Sequence, residues 1–460
     1  MSNPVTHHPA SFRDPSGFIF IKDDVFYRQV NTVFKEHFDH FIKSGFYDHC
    51  VKNSLLISHE EIKENLSGDA NWYITLKPEP IEFISYPYEW SFDMLKDAAL
   101  LTLQLAREAM PHGLMLKDAS PFNIQWHKGK MIFIDSLSFE KYIEENPWIA
   151  YRQFCENFLS PLMLMHYRKN QLQQLMLAWP EGIPLQITKS LLPFRSKLSL
   201  DTYLHIHMHS RISSANKITE EKKVVFSKQK MNRLLLSLEN LIKSLRSPHQ
   251  KTAWSNYYKE ANSRNNYSNE KKRIIQQWVE KMNEIKTAVD LGANEGEYSK
   301  LLSTKNIDVI AADADAYCIN QLYIEIKKNA EKNIQPLILD LSHPSPAIGF
   351  NNEERTSFIE RTSVDLGLAL ALIHHLAIGK NISFEMIASL FHKLAKNLVI
   401  EFVPKEDEKV QLLLKHKQDI YRDYNEISFL KAFEKKFAIV DRQMIPGTDR
   451  TLFLMKKHDN

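Results

Sequence analysis

The chain has 460 residues, 43% of them hydrophobic and 25% charged, with a formal net charge of +3. That length exceeds an ordinary single domain and points to two or three, each with enough apolar residues for a core. The near balance of charge excludes a global demand for nucleic acid or an anionic membrane, and Cys50, Cys155 and Cys318 are too far apart for a C-x-x-C pair or a metal-ligand pattern.

The N-terminus, M-S-N-P-V-T-H-H-P-A, has no apolar core of a signal peptide, and no apolar run of about 18 residues occurs. The expected location is therefore cytoplasmic, with no membrane partner. Gly17 to about Val33 holds two β-rich runs joined by Lys22-Asp23-Asp24 and reads as a hairpin. Helical patterns cover Thr32–Ser44 and Ser58–Glu64, while Asn71–Leu76 and Ile81–Ser85 look like further strands. The aromatic run Tyr86–Phe92 reads as a packing corner ahead of a strong helix, Phe92–Ala109.

L-K-D-A-S-P-F-N follows at Leu116–Asn123, then M-I-F-I-D-S-L-S-F-E at Met131–Glu140. Asp118 and Asn123 have the D-x-x-x-x-N spacing of a kinase catalytic loop, and Asp135 ends a strand about a dozen residues later, where a metal-binding aspartate would stand. The stretch resembles the kinase-like fold, especially its small-molecule (aminoglycoside-phosphotransferase-like) branch. That resemblance implies that Asp118 orients a hydroxyl while Asn123 and Asp135 hold magnesium on the phosphates of ATP. There are departures: Leu116-Lys117 replaces the His-Arg pair, Ser136-Leu137 replaces Phe-Gly, and no G-x-G-x-x-G loop precedes. No strand lysine with a helix glutamate can be placed, Lys22 and Arg28 being the only nearby cations. The alternative is an inherited scaffold that recognises a substrate or packs against the rest of the chain.

Pro147 to about Met208 is helical and aromatic, as the helical lobe of such a domain would be. His205, His207 and His209 alternate, but no acid or cysteine joins them, and they read as surface or packing histidines rather than metal ligands. Ser213–Gln229 is polar and basic and reads as a loop. Asn232–Leu245 is amphipathic, and Trp254–Lys286 continues as charged helices whose Lys271-Lys272-Arg273 cluster reads as a solvated face.

The stretch Ala288–Lys300, A-V-D-L-G-A-N-E-G-E-Y-S-K, is a strand, a tight turn and a helix start. Gly292 lets backbone approach a ligand, and the helix that follows presents free N–H groups, although an ordinary strand-to-helix turn would look alike. The context extends it. Ile307–Ala312 is an apolar run ending in Asp313, with Asp315 beyond, at roughly the 20-residue interval where an acid meets a ribose in nucleotide-binding folds. Pro336–Leu339 ends in Asp340, Val364–Leu372 ends in His374-His375, and Leu398–Val403 contains Glu401. Helical patterns lie between, so the alternation predicts a mostly parallel sheet with ligands at the carboxyl ends of its strands.

V-D-L-G-A-N-E-G-E-Y-S resembles motif I of class I S-adenosylmethionine-dependent methyltransferases. By that resemblance Asp290, Gly292, Asn294 and Gly296 surround the methionine end of the cofactor, Asp313 holds the ribose, and Asp340 lies beside the adenine. A dehydrogenase fingerprint G-x-G-x-x-G is absent, since Ala293 and Asn294 follow Gly292. The motifs S-Y-P-Y-E-W-S-F, L-K-D-A-S-P-F-N, F-I-D-S-L-S-F-E, H-P-S-P-A-I-G-F and A-L-A-L-I-H-H-L-A-I-G resemble one bacterial family of large methyltransferases, related to the NoeA-type nodulation protein.

The expected architecture is α/β: an α+β kinase-like domain over residues 1–225, a helical connector over 226–284, and a Rossmann-like methyltransferase over 285–460. Ile373-His374-His375-Leu376 stands where base-amine methyltransferases place N/D-P-P-Y/F/W. The expected reaction is therefore O-methylation of a small-molecule or saccharide hydroxyl, with His374 or His375 as base and Glu401 orienting it. One histidine packing against the cofactor and the other capping a helix is the alternative. The kinase-like domain is expected to aid substrate recognition without turnover. A bifunctional kinase and methyltransferase using Mg-ATP as a second cofactor is the runner-up, and an RNA methyltransferase ranks below it.

Overall fold

The structure, a computed structural model, describes residues 5–168, 172–209, 226–248, 267–282, 284–415 and 417–458. Two expected stretches lie partly outside them: the basic loop from Ser213 as far as residue 225, and the charged helices from Trp254 as far as residue 266. The chain forms two compact units, Met1–Pro248 with Ala347–Arg355, and His249–Pro346 with Thr356–Asn460.

The first unit carries a five-stranded antiparallel sheet in the order β1 (Thr6–His7), β2 (Gly17–Lys22), β3 (Val25–Asn31), β5 (Trp72–Pro78), β4 (His59–Ile62). β2 and β3 form the expected hairpin: Lys22 opposes Val25, and Asp23 and Asp24 take the positive φ values, 50° and 61°, that a two-residue turn needs. Gly17 is required by space, because a Cβ there would lie 2.0 Å from the Gln29 carbonyl oxygen.

Two local expectations fail in this unit. His59–Ile62, read as helical, is the edge strand β4, with Glu60 opposite Lys77 on β5; pairing with a neighbour overrides the helix preference of its glutamates. Ile81–Ser85, read as a strand, enters no ladder, since the Gln125 side chain takes both the N–H and the carbonyl of Ser85 at 2.9 and 3.0 Å. The helix Phe92–Ala109 forms as expected and buries Leu95, Ala98, Leu101 and Leu105 along one face. Beyond it, β6 (Leu114–Leu116) pairs with β9 (Phe139–Lys141), and β7 (Ile124–His127) with β8 (Lys130–Phe133). Asp118 and Asn123 sit on the link between β6 and β7, and Asp135 on the link between β8 and β9. The helix Lys228–Ser244 also belongs to this unit.

The second unit contains a seven-stranded sheet, in the order β12 (Ile334–Ile338), β11 (Asp308–Asp313), β10 (Thr287–Leu291), β13 (Val364–Ala369), β14 (Ala395–Phe402), β16 (Thr451–Lys457), β15 (Phe437–Met444). The five runs expected as parallel strands are β10 to β14, all parallel to one another. β16 runs antiparallel between β14 and β15, a C-terminal hairpin that the pattern of residues did not reveal. The helix Tyr267–Lys281 covers the sheet, with Ile274, Ile275 and Trp278 in one buried cluster with Ala288, Val309, Leu366 and Val399. From β10 the chain steps to β11 on one side, then returns to β13 on the other. That reversal makes the carboxyl ends of β10 and β13 the place where such sheets bind ligands.

Among the described residues no helix is long and apolar enough to cross a membrane, and Cys50, Cys155 and Cys318 are free and buried.

Candidate functional site

The turn after β10 is built on left-handed backbone. Gly292, Asn294 and Gly296 have φ of 79°, 51° and 76°, and the N–H groups of Gly292 and Ala293 both bond the Ala312 carbonyl of β11, at 2.8 and 3.1 Å. Gly296 is also a packing requirement: a Cβ there would meet the Leu322 side chain at 2.6 Å. This turn leads straight into the helix Glu297–Ser303.

Asp313, at the end of β11, is fixed from both sides. The Asn294 N–H donates to its Oδ2 at 2.8 Å and the Asp315 N–H to its Oδ1 at 2.8 Å, so the carboxylate plane is set. Burial raises its pKa against those two hydrogen bonds. Asp315, the other acid of the expected pair, instead caps the helix Ala316–Asn329, accepting from the N–H groups of Tyr317 and Cys318. Asp290 lies beneath the turn, 2% exposed, and accepts from Ser299 Oγ at 2.7 Å. Burial first, then the charge of Asp313, pushes its carboxyl up to about 6, against the Ser299 hydrogen bond.

Asp340 follows β12. Burial works against its ionised form, but the Ser342 N–H and Oγ, at 2.9 and 2.6 Å, and Lys380 Nζ, at 3.3 Å, outweigh it and lower the pKa. Beyond β13, the His374 and His375 rings lie 4.1 Å apart. His374 is buried, and its Nδ1 has no hydrogen-bond partner among the described residues. Burial, then the neighbouring His375, holds it well below the usual histidine range; burial and the charges of Arg450 and Lys409 bring His375 to about 4. Both imidazoles are neutral at neutral pH.

Glu401, near the end of β14, is the centre of a buried network. Lys271 Nζ reaches its Oε2 at 2.5 Å, Tyr267 donates its hydroxyl to Oε1 at 2.6 Å, and Arg450 Nη1 reaches the same oxygen at 3.2 Å. Arg450 also forks onto Asp407 at 2.8 and 3.0 Å and donates to the Tyr267 hydroxyl at 2.8 Å. Burial would raise the Glu401 pKa, but Lys271 and Arg450 overcome it and hold the carboxyl at about 2. The hydrogen bonds of Glu401 thus go to this network, and its charge is felt at His374.

Tyr267, Lys271, Asp407 and Arg450 were not recognised from the residues. Lys271 corrects the reading of Lys271-Lys272-Arg273 as a solvated face, for it is buried while Lys272 and Arg273 remain accessible. The signal was present: Lys271 falls on the same stripe as Tyr267, Ile274, Ile275 and Trp278, spaced as the buried face of a helix.

In the first unit, Asp118 Oδ1 accepts from the Ser120 N–H at 3.0 Å and from Gln153 Nε2 at 2.7 Å. Ser138 joins the other two members of the expected set, receiving from Asn123 Nδ2 at 3.4 Å and donating to Asp135 Oδ2 at 2.5 Å. Asp135 Oδ1 accepts from the Leu137 N–H at 3.0 Å and from the guanidinium of Arg28 on β3. Lys117 reaches Ser16 Oγ at 2.7 Å and Asp14 at 3.3 Å. Phe122, on the same link, lies 4.4 Å from the Arg355 guanidinium of the Ala347–Arg355 segment. His205 and His207, expected as surface or packing residues, are buried; His205 bonds Tyr151 Oη at 2.7 Å and Ser237 Oγ at 3.0 Å. Among the described residues no group of three or more His, Cys, Asp or Glu side chains is placed to hold a metal ion.

No protein-family model matches the chain. It is 31% identical over 470 residues to the nodulation protein NoeA of Rhizobium meliloti (strain 1021), an alignment spanning 98% of this chain and 96% of that protein. Among solved structures, the bifunctional kinase-methyltransferase WbdD aligns over 48% of this chain and 46% of its own, at 15% identity and a TM-score of 0.30. The chain thus spans about half the length of WbdD. Magnesium protoporphyrin IX methyltransferase (ChlM) from Synechocystis PCC 6803, with bound SAH, aligns over 42% of this chain and 84% of its own, at 14% identity and a TM-score of 0.31. The N-methyltransferase NodS from Bradyrhizobium japonicum WM9 covers 43% of this chain and 90% of its own, at 11% identity and 0.32. Scores this low add nothing to what the geometry of the chain itself supports.

Proposed function

The chain belongs to the family of the nodulation protein NoeA, and from that premise we propose that its second unit is an S-adenosylmethionine-dependent methyltransferase. The observation that carries the reading is Asp313, oriented by backbone amides at the carboxyl end of β11, beside the left-handed turn of Gly292, Asn294 and Gly296 that follows β10. A carboxylate oriented in this way is suited to the two hydroxyls of a ribose.

On this reading the turn Gly292–Gly296 and Asp290 face the methionine end, Asp313 holds the ribose, and Asp340 accepts from the adenine amine. The cofactor supplies an electrophilic methyl group on a positively charged sulfur. The chain's own task is to align an acceptor and to receive its proton. His374 and His375 are neutral, so either imidazole can accept a hydrogen bond from a hydroxyl acceptor and take its proton as the methyl group moves. The Nδ1 of His374, without a hydrogen-bond partner among the described residues, is a buried acceptor or donor suited to a ligand group. Glu401 acts on His374 through its charge, its lone pairs being taken by Lys271, Tyr267 and Arg450. The acceptor is a small-molecule or saccharide hydroxyl, and the enzyme works in the cytoplasm.

We further propose that residues 1–225 are a kinase-like scaffold that aids substrate recognition, with residues 226–284 leading into the methyltransferase over 285–460. A calorimetric titration with S-adenosylhomocysteine tests the cofactor site: binding by the wild type, lost in Asp313→Ala, supports the reading, and no binding by the wild type sinks it. Mass-spectrometric detection of a methyl group in place of a hydroxyl hydrogen on hydroxylated metabolites then searches for the acceptor.

A further inference from the structure

A kinase-like triad requires a divalent cation, and the side chains here do not fit one. Magnesium demands near-octahedral oxygen ligands with lone pairs converging on one point. Asp135 would be its principal ligand, yet Oδ1 is filled by Arg28 and the Leu137 N–H, Oδ2 already accepts from Ser138 Oγ, and only 7% of the residue is exposed. Asn123 turns its amide nitrogen toward the same Ser138 hydroxyl, and Asp118 gives Oδ1 to Gln153 and Ser120.

The cation that is present belongs to the protein. Arg28 sits in the middle of β3, paired with Ile19 on β2 and Leu76 on β5, so the sheet itself positions its guanidinium. Burial lowers its pKa to about 10, with Asp14 and Asp118 opposing the shift, which leaves it charged at neutral pH. His59, which also feels this charge, is brought to about 4 by burial and by Arg28, and adds no second positive charge at neutral pH. A fixed guanidinium and a divalent ion cannot share one buried carboxylate without strong repulsion.

We infer that Arg28 is the resident cation of the Asp118, Asn123 and Asp135 set, and that the first unit takes its ligands without a divalent metal on Asp135. The inference stands on the first unit alone and is independent of the methyltransferase reading. It gives a physical reason for a kinase-like scaffold without phosphoryl transfer, because that chemistry relies on metal ions to bridge and neutralise the phosphates.

The experiment is a titration of the full chain with manganese(II) alone, the free ion being counted by its paramagnetic resonance signal. Wild type and Asp135→Asn are expected to give superimposable isotherms. Arg28→Met, with its fold checked by circular dichroism, is expected to gain one site at least tenfold tighter than the background, and Arg28→Met/Asp135→Asn to lose it. Arg28→Gln replaces Arg28→Met should the latter not fold. Wild-type binding that Asp135→Asn removes would overturn the inference, as would a folded Arg28 variant that gains no site. The comparison of wild type with Asp135→Asn decides the matter by itself if neither Arg28 variant folds.

Discussion

Lys271 Nζ lies 2.5 Å from Glu401 Oε2 inside the second unit, with 3% and 0% of the two side chains exposed. The pair ties the helix Tyr267–Lys281 to β14, while Arg450 and Asp407 bring the C-terminal hairpin and the helix Glu408–Leu414 to the same point. Removing Lys271 leaves Arg450 to balance both Glu401 and Asp407, so one buried negative charge goes unmatched, which costs about 3–5 kcal/mol. Lys271→Met is therefore expected to lower the denaturation midpoint of the second unit sharply, and Lys271→Met/Glu401→Leu to recover much of the loss. Chemical denaturation of the four corners of that cycle checks it; additive losses would contradict a coupled pair. Because the folded-state pKa of Glu401 is depressed from 4.5 to about 2, its contribution is present above about 4.5 and disappears as the pH falls toward 2.

Asp290 behaves in the opposite sense. Its folded value of about 6 lies above the ordinary 3.8, so the native chain holds that proton more tightly than the unfolded chain does. The stability gained from the neutral form is present below 3.8 and is lost as the pH rises through about 6, a change of roughly 3 kcal/mol at most. Asp290→Asn is expected to flatten that stretch of the stability profile. A positively charged cofactor nearby favours the ionised carboxyl, so affinity for S-adenosylmethionine should rise between about pH 5 and 7 in the wild type, roughly tenfold for each unit by which loading lowers the pKa. An affinity that stays level across that range would place Asp290 away from the cofactor's charge.

Asp313 and Asp315 separate two roles two residues apart. Asp315→Ala removes the cap of the helix Ala316–Asn329 and is expected to cost about 1 kcal/mol of stability. Cofactor affinity of the folded protein should be retained. Asp313→Ala is expected to abolish binding with a smaller change in stability, since it removes an acceptor that burial already penalises. Thermal melts paired with calorimetry on the two variants check this division, which the reverse pattern would refute.

Gly296 is held by conformation and by contact together. Its φ is 76°, and a methyl group on its Cα would stand only 2.6 Å from Leu322 Cδ1, so Gly296→Ala is expected to destabilise by more than about 1 kcal/mol. Leu322→Ala, itself destabilising because Leu322 is buried, supplies the background that relieves the clash, and Gly296→Ala in that background is expected still to destabilise through backbone strain. No further loss in that background would assign the requirement to packing alone.

The parallel strands of the second unit were legible because each is a short apolar run ending in a polar residue, and buried parallel strands require that pattern. The acids at their ends were legible for the same reason. Lys271 was hidden by its neighbours: Lys272 and Arg273 made it look like part of a charged face, and only its place on the apolar stripe of the helix distinguishes it. Arg450 lies in the turn of an edge hairpin, just before β16, and the outer strand of that hairpin, Phe437–Met444, is mostly exposed and lacks the alternation that marks a half-buried strand. In the first unit the link carrying Asp118 and Asn123 was visible as a motif, whereas the pairing of Arg28 with Asp135 joins positions 107 residues apart and has no local signature. The return of Ala347–Arg355 to the first unit is likewise a matter of tertiary packing.

The most direct test of the central claim is a thermal-shift comparison of the full chain with S-adenosylmethionine, with S-adenosylhomocysteine, and with ATP and magnesium, since a ligand that binds only the folded state raises its apparent stability. The expected result is stabilisation by both sulfur ligands, abolished in Asp313→Ala and kept in Asp118→Ala, with no magnesium-dependent shift from ATP. A wild-type protein that neither sulfur ligand stabilises would contradict the assignment of the second unit as a methyltransferase.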